Sequence, residues 1–367
     1  MSGLRPTFVE VDLDAIRHNV RTLKPGEAEL MAVVKADAYG HGDVAVARAA
    51  LEAGAAWIGV ALVEEGLRLR DGGIDAPILV LSEFPPGSEH AAIAAGLTPS
   101  LYSDAALERL LSEGAAGRDV GVHVKVDTGM HRVGVYPPEA TRTFVDRVTS
   151  HGLRLEALWT HYASSSEDEK ATLAQLECFL ATVEDVRAAG HAPALLHTAN
   201  SGATILYPET HLDLVRTGIA MYGLEPAPGV VDGLGLRPAL TWRSKVAVTR
   251  RLSAGERVSY GHRYLLERDA NVATVPVGYA DGYPRTLSSR ADVLIRGRRC
   301  RVAGSVTMDQ LIVDCGDMPV GAGDDVVLLG RQGEESIPAG ELARLAETID
   351  YEIVTGIGAR VPREHRS

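Results

Sequence analysis

Lys35 ends the apolar run "LMAVVK" and directly precedes the Gly-rich "ADAYGHG". A lysine amine desolvated behind such a run loses protons more easily than a solvated one and becomes a competent Schiff-base nucleophile. A solvated lysine closing a strand has the same sequence, and these residues alone leave both readings open. Two further stretches, "TANSGA" (198–203) and "RTGIAMYG" (216–223), are rich in small residues. Ser201, Gly202, Gly218 and Gly223 let backbone N–H groups approach an anion, although each is also compatible with a plain turn. An aldehyde-binding lysine opposite a phosphate-binding corner suggests pyridoxal 5′-phosphate, its aldehyde on Lys35 and its phosphate on the two loops. Arg216, at that corner, is either a phosphate or carboxylate clamp or a partner of the pyridine nitrogen. In the second role a guanidinium keeps the nitrogen unprotonated and weakens the cofactor as an electron sink.

Positioning such groups requires a rigid frame, and the sequence supplies one. Eight apolar runs (30–35, 57–62, 77–82, 97–103, 120–128, 153–161, 195–201 and 212–218) alternate with segments of helical spacing that end at Gly. Eight βα units in about 200 residues predict a closed (β/α)8 barrel. An open doubly wound sheet is the alternative, with its ligand at a single crevice. Reactive or polar residues close most of the runs: Lys35, Ser82, Lys125 with Asp127, His161, Asn200 with Ser201, and Arg216. That spread suits the ring of loops at the C-terminal mouth of a barrel. After about residue 235 the pattern becomes alternating, β-branched and punctuated by Gly turns, which predicts an all-β domain with one helix over 338–350. The expected division is therefore a barrel over 8–235 and a mainly β domain over 236–367, with the N-terminal strand within 1–11 joining the second sheet.

Composition narrows the class. The net charge is −12, which argues against a general nucleic-acid or anionic-membrane binder. No window has the roughly 20 consecutive apolar residues of a membrane helix. Cys178, Cys300 and Cys315 are odd in number, widely spaced and outside any metal-ligand pattern, so neither a disulfide framework nor a metal site is expected. With no apolar signal-peptide core at the N-terminus, the expectation is a cytoplasmic protein.

Seven stretches, "AVVKADAYGHG", "VKVDTGMHRVG", "HTANSGA", "VRTGIAMYG", "ERVSYGHRY", "VGYADGYPR" and "VAGSVTMDQ", resemble in order the alanine racemases, bacterial pyridoxal-phosphate enzymes of fold type III. The resemblance spans residues 8 to about 363. It implies a (β/α)8 barrel, a C-terminal β domain and a head-to-tail homodimer whose active sites combine one chain's barrel with the other's β domain. By position, Lys35 resembles the lysine that holds the cofactor and moves the α-proton on one face. Tyr260 resembles the opposing base, supplied by the second chain. Tyr39, Ser201, Gly218 and Ile219 match phosphate-binding positions, and Arg216 the arginine on the pyridine nitrogen, with His197 and His161 in its hydrogen-bond network. Arg132 and Met308 match groups that meet the substrate carboxylate, with Asp309 supporting. Lys125 corresponds to a lysine that is carbamylated in many members and holds Arg132.

Three positions depart from the family pattern: Ala359 stands where a tyrosine is common, Ser305 where an arginine is frequent, and Thr307 where a cysteine occurs. A wider mouth that tolerates larger amino acids is the expected consequence. The implied reaction is L- and D-alanine interconversion, supplying D-alanine for peptidoglycan. A broad-specificity or serine racemase, and a non-catalytic pyridoxal-phosphate-binding protein, are the alternatives. A decarboxylase of the same fold needs a carboxylate on the pyridine nitrogen, which Arg216 opposes.

Overall fold

The computed structural model describes residues 5–115 and 119–367, which form two compact units. One comprises residues 15–38 and 43–237; the other comprises residues up to 14, 39–42 and 238–367. The first strand, β1 (Phe8–Asp12), belongs to the second unit. The next eight build the first: β2 (Glu29–Val33), β3 (Trp57–Val60), β4 (Ile78–Val80), β5 (Leu97–Leu101), β6 (Gly121–Lys125), β7 (Arg154–Trp159), β8 (Leu195–His197) and β9 (Leu214–Thr217).

All eight runs of the sequence analysis are strands. They pair in parallel in the order β8-β7-β6-β5-β4-β3-β2-β9, a nearly closed barrel. The seam between β8 and β9 is spanned by single hydrogen bonds, from Asp213 N to Leu196 O at 3.1 Å and from Arg216 N to Ala199 O at 3.0 Å. The runs read as continuous apolar stretches because these strands are covered on both faces, by helices outside and by packed side chains within. Met31, Trp57, Leu79 and Leu214 form one such interior cluster. Side-chain caps fix where helices begin: Asp168 accepts from Ala171 N at 2.9 Å ahead of Glu169–Ala188, and Asn200 from Ala203 N at 3.1 Å ahead of Ser201–Leu206.

The second unit adds β10 (Leu240–Lys245), β11 (Val248–Leu252), β12 (Arg257–Val258), β13 (Tyr264–Leu265), β14 (Ala270–Val275), β15 (Asp292–Ile295), β16 (Arg298–Val302), β17 (Leu311–Asp314), β18 (Asp325–Gln332), β19 (Glu335–Ile337) and β20 (Arg363–Arg366). Its main sheet runs β11-β14-β17-β16-β15-β18-β10-β1-β20, with β19 on β18 and β12-β13 a separate ribbon. The N-terminal strand β1 lies between β10, antiparallel, and β20, parallel. The helix predicted over 338–350 is present as Ala339–Ala346, and a second, unexpected one follows at Asp350–Thr355. Glu347, in the left-handed conformation at φ 61°, ends the first, and extended Ile349 starts the second. Among the described residues no helix is long and apolar enough to cross a membrane.

Candidate active site

The C-terminal ends of the barrel strands gather the charged residues named above. Arg216, on β9, is almost fully buried at 3% exposure. Its guanidinium donates to Thr160 O at 2.9 Å and Thr198 O at 3.0 Å. It also lies 3.0 Å from His197 Nδ1 and 3.1 Å from His161 Nδ1. A guanidinium only donates, so both Nδ1 atoms must accept. In neutral His197 the proton then sits on Nε2, which points at His123 Nδ1 3.0 Å away. His123 in turn directs its Nε2 toward Glu156, 3.5 Å away. Burial and the adjacent Arg216 charge push both His161 and His197 well below the usual imidazole range, which keeps them neutral acceptors. Burial also lowers Arg216, to about 9, leaving a cation at neutral pH. Trp159 covers this group, its ring stacked on His197 and 4.9 Å from the guanidinium carbon.

Lys35 follows β2 and opens a left-handed turn. Ala36, Asp37, Ala38 and Tyr39 all have φ between 52° and 54°. Side chains with a Cβ resist that conformation, so something must hold it. Glu65 does so: its buried carboxylate accepts from Ala36 N at 2.6 Å, Ala61 N at 2.8 Å and Leu62 N at 3.1 Å. Ala38 N adds a bond to Val34 O at 2.8 Å. Burial first, and the Arg132 charge second, lower the Lys35 pKa, while Glu65 opposes them. Glu65→Ala leaves three backbone donors without their acceptor and should cost about 2–4 kcal/mol of stability. Urea unfolding checks this, and a loss under about 0.5 kcal/mol would contradict the role of Glu65.

Lys125, at the end of β6, is buried with Nζ 4.5 Å from the centre of the Trp159 ring. Burial, followed by the charges of Arg132 and Arg216, brings it down to about 7. Arg132 itself is exposed, on a loop tied at its base. Asp127 Oδ1 accepts from Gly129 N at 3.1 Å and His131 N at 3.0 Å, and Val126 and Val135 bridge. Burial raises the Asp127 carboxyl, but the His131 and Gly129 donors outweigh it and hold the pKa low. Because Lys125 is lowered on folding, the unfolded chain binds more protons between about pH 7 and the ordinary lysine range near ~10.4, so this residue's contribution to stability rises with pH across that window. Lys125→Met should therefore stabilise the protein more at pH 7 than at pH 10; an equal gain at both, by denaturant titration, would contradict the shift.

At the neighbouring corner Ser201 Oγ accepts from Gly218 N at 2.9 Å and from Ala220 N at 3.5 Å. A Cβ at Gly202 would crowd the Ser165 and Ser166 hydroxyls, which would have to rotate away to admit it. Ile219 is buried at the start of a short helical turn, Ile219–Tyr222. Tyr39 belongs to the other unit, buried with its ring 6.0 Å from that of Tyr351. Burial, and then Tyr351, raise its pKa.

The second unit carries its own cavity of about 580 Å³, lined by Tyr260, Tyr279, Arg285, Ser305 to Asp309 and Gln310. Tyr260, at 74% exposure, and Met308, at 53%, face solvent from it. Ser259, at φ 66°, precedes Tyr260, and its hydroxyl donates to Ser305 O at 2.9 Å. Gly278 is required where a Cβ would meet the Thr307 and Met308 carbonyls. Asp309 is held by Arg360 at 2.8 Å, which also pairs with buried Asp281 at 3.0 Å. Ala359 is exposed.

The model of the alanine racemase N-terminal domain matches residues 11–226, and that of the C-terminal domain residues 239–365. The chain belongs to the alanine racemase family. It is 52% identical to an alanine racemase of Symbiobacterium thermophilum, over 99% of this chain and 98% of that protein. The crystal structure of alanine racemase from D-cycloserine-producing Streptomyces lavendulae superposes with a TM-score of 0.95 at 41% identity, covering 100% of this chain and 98% of that one. Alanine racemase from Bacillus anthracis with bound L-Ala-P gives 0.94 at 37% identity, covering 100% and 96%. This alanine racemase family member is thus an isomerase with a TIM barrel and a sheet domain. Its barrel brings Lys35, Lys125, His161, His197 and Arg216 into one electrostatic group, while Tyr260, Met308 and Asp309 share the other cavity. Sequence reasoning missed Glu65, His123 and Glu156. The only available signal was a polar side chain inside an otherwise apolar strand, as His123 is in "GVHVK".

Proposed function

We propose that this chain interconverts L- and D-alanine with pyridoxal 5′-phosphate, using Lys35 and Tyr260 of a second copy as opposed bases. The observation that carries this reading is the charge set around His161: Arg216, Lys125, Arg132 and Lys35 all act on it at the strand ends. Among the described residues Arg216 makes no carboxylate ion pair, and neutral imidazoles and carbonyls hold it instead. A cationic, partly desolvated pocket of this kind fits an anionic group bearing a phosphate, a phenolate oxygen and a substrate carboxylate. When bound, the cofactor supplies delocalisation of the electron pair left when the α-proton departs.

The chain's residues then divide the remaining work. Lys35 holds the cofactor through its amine and, with its pKa lowered by burial, serves as base on one face. Arg216 is assigned to the pyridine nitrogen, Ser201 with the Gly218–Ile219 backbone and Tyr39 to the phosphate, and Arg132 with Met308 to the substrate carboxylate. One base cannot reach both faces of a planar carbon, so a second must approach from the other side. Tyr260, solvent-facing on the sheet unit, is available to a partner chain. A homodimer with shared sites follows, and the product D-alanine serves peptidoglycan synthesis in the cytoplasm.

Incubating the purified holoenzyme with L-alanine should yield an equimolar mixture of enantiomers by chiral chromatography; absence of D-alanine with the yellow cofactor bound would favour a binding protein. A broader substrate range is favoured by exposed Ala359 and by small Ser305 in the Tyr260 cavity. Ala359→Tyr should reduce kcat/KM for L-serine more than for L-alanine, and an unchanged serine-to-alanine ratio would count against the wide mouth.

A further inference from the structure

The structure places two of the three cysteines opposite each other. Strands β16 and β17 pair antiparallel with Arg301 facing Asp314 and Val302 facing Val313. One step further along the same register sets Cys300 against Cys315. The hydrogen-bond phase of the ladder identifies the kind of pair. Ala303 N donates to Ile312 O at 2.7 Å, so 303:312 is a hydrogen-bonded pair and 302:313 is not. Alternation makes 301:314 hydrogen-bonded and 300:315 not. Two donors facing away agree: Val302 N bonds to Ala291 O at 2.9 Å on the β15 side, and Cys315 N to Asn271 O at 2.9 Å on the β14 side. Non-hydrogen-bonded antiparallel pairs bring Cα atoms to about 4.5 Å, inside the roughly 4.4–6.8 Å range that a disulfide spans. Both side chains point to the buried face, at 5% and 7% exposure, and both thiols are free.

We propose that Cys300 and Cys315 form an oxidisable cross-strand pair that takes one intramolecular disulfide from a small organic disulfide. The Cys300 thiolate attacks one sulfur of the oxidant and expels one small thiolate, leaving a mixed disulfide. Cys315 then gives its proton to solvent, attacks Cys300 Sγ and expels the second small thiolate. Two thiols are oxidised to one S–S bond, and the oxidant is reduced to two thiols once solvent protons are taken up. The bond would close the base of the β16–β17 hairpin, whose loop carries Ser305, Thr307 and Met308. The pair's mutual contact favours this order, since the neighbouring Cys315 thiol lowers the Cys300 pKa while Cys300 raises that of Cys315.

The test incubates the full-length holoenzyme with 2-hydroxyethyl disulfide, then denatures it in guanidinium chloride containing iodoacetamide for intact-mass and non-reducing peptide analysis. The expected product has lost two hydrogens between Cys300 and Cys315, carries an alkyl group or a hydroxyethylthio adduct on Cys178 and neither on the other two, and yields one peptide pair joined through Cys300 and Cys315. C300S and C315S should each abolish the mass loss. Three alkylated cysteines, stable mixed adducts on both residues, or a mass loss that survives either substitution would overturn the proposal.

Discussion

Lys35→Ala should lower racemisation by at least about 10⁴-fold, because in the proposed mechanism one substitution removes both the cofactor's anchor and the base on one face. The variant should also lose the borohydride-reducible visible band of the holoenzyme, which reports the bond to the lysine rather than turnover. The fold should survive: the amine is partly desolvated and carries a lowered pKa, so its removal relieves an unfavourable burial. The left-handed turn that follows is held by Glu65 through Ala36 N, which the substitution leaves in place. Circular dichroism with absorption before and after borohydride separates the outcomes. A folded variant that keeps a reducible band would remove Lys35 from its assigned role.

Tyr260→Phe should reduce kcat by about 10²–10⁴-fold in both directions, the range for loss of one positioned acid–base group. Its more telling consequence is asymmetric. With Lys35 still serving one face, one alanine enantiomer should exchange its α-hydrogen with deuterated solvent without inverting, while the other should exchange far more slowly. Proton NMR of each enantiomer follows this directly. Tyr260 is three-quarters exposed, so removing its hydroxyl should leave stability nearly unchanged. Equal slowing of exchange for the two enantiomers would show that Tyr260 does not act on a single face.

The barrel was legible because strands covered on both sides read as uninterrupted apolar runs, and a polar residue at the end of such a run stands out. Lys35, Lys125, His161 and Arg216 stand out in this way as strand-end candidates. Glu65 does not, because its meaning depends on Ala36 N, which only the fold brings to it. The left-handed turn was hidden for a related reason: three of its four residues, Ala36, Ala38 and Tyr39, have no local preference for positive φ that would announce it. The Cys300–Cys315 pairing was invisible because strand register, not spacing, sets it. Nothing in the residues around Tyr260 marks it for chemistry, and only the family likeness singles it out. The second helix, Asp350–Thr355, lies beyond the expected 338–350 pattern, after left-handed Glu347, Thr348 and extended Ile349 break the chain from Ala339–Ala346.

The most direct test of the two-base, two-chain site is subunit complementation. Lys35→Ala and Tyr260→Phe chains, each nearly inactive alone, are co-expressed with different tags and their mixed dimers measured for D-alanine formation. If each site takes Lys35 from one chain and Tyr260 from the other, every mixed dimer holds one intact site and one doubly altered site. A statistical mixture, half of it mixed dimers, should then recover about a quarter of wild-type activity, and purified mixed dimers about half. Activity no higher than the sum of the two parents would contradict a site shared between chains.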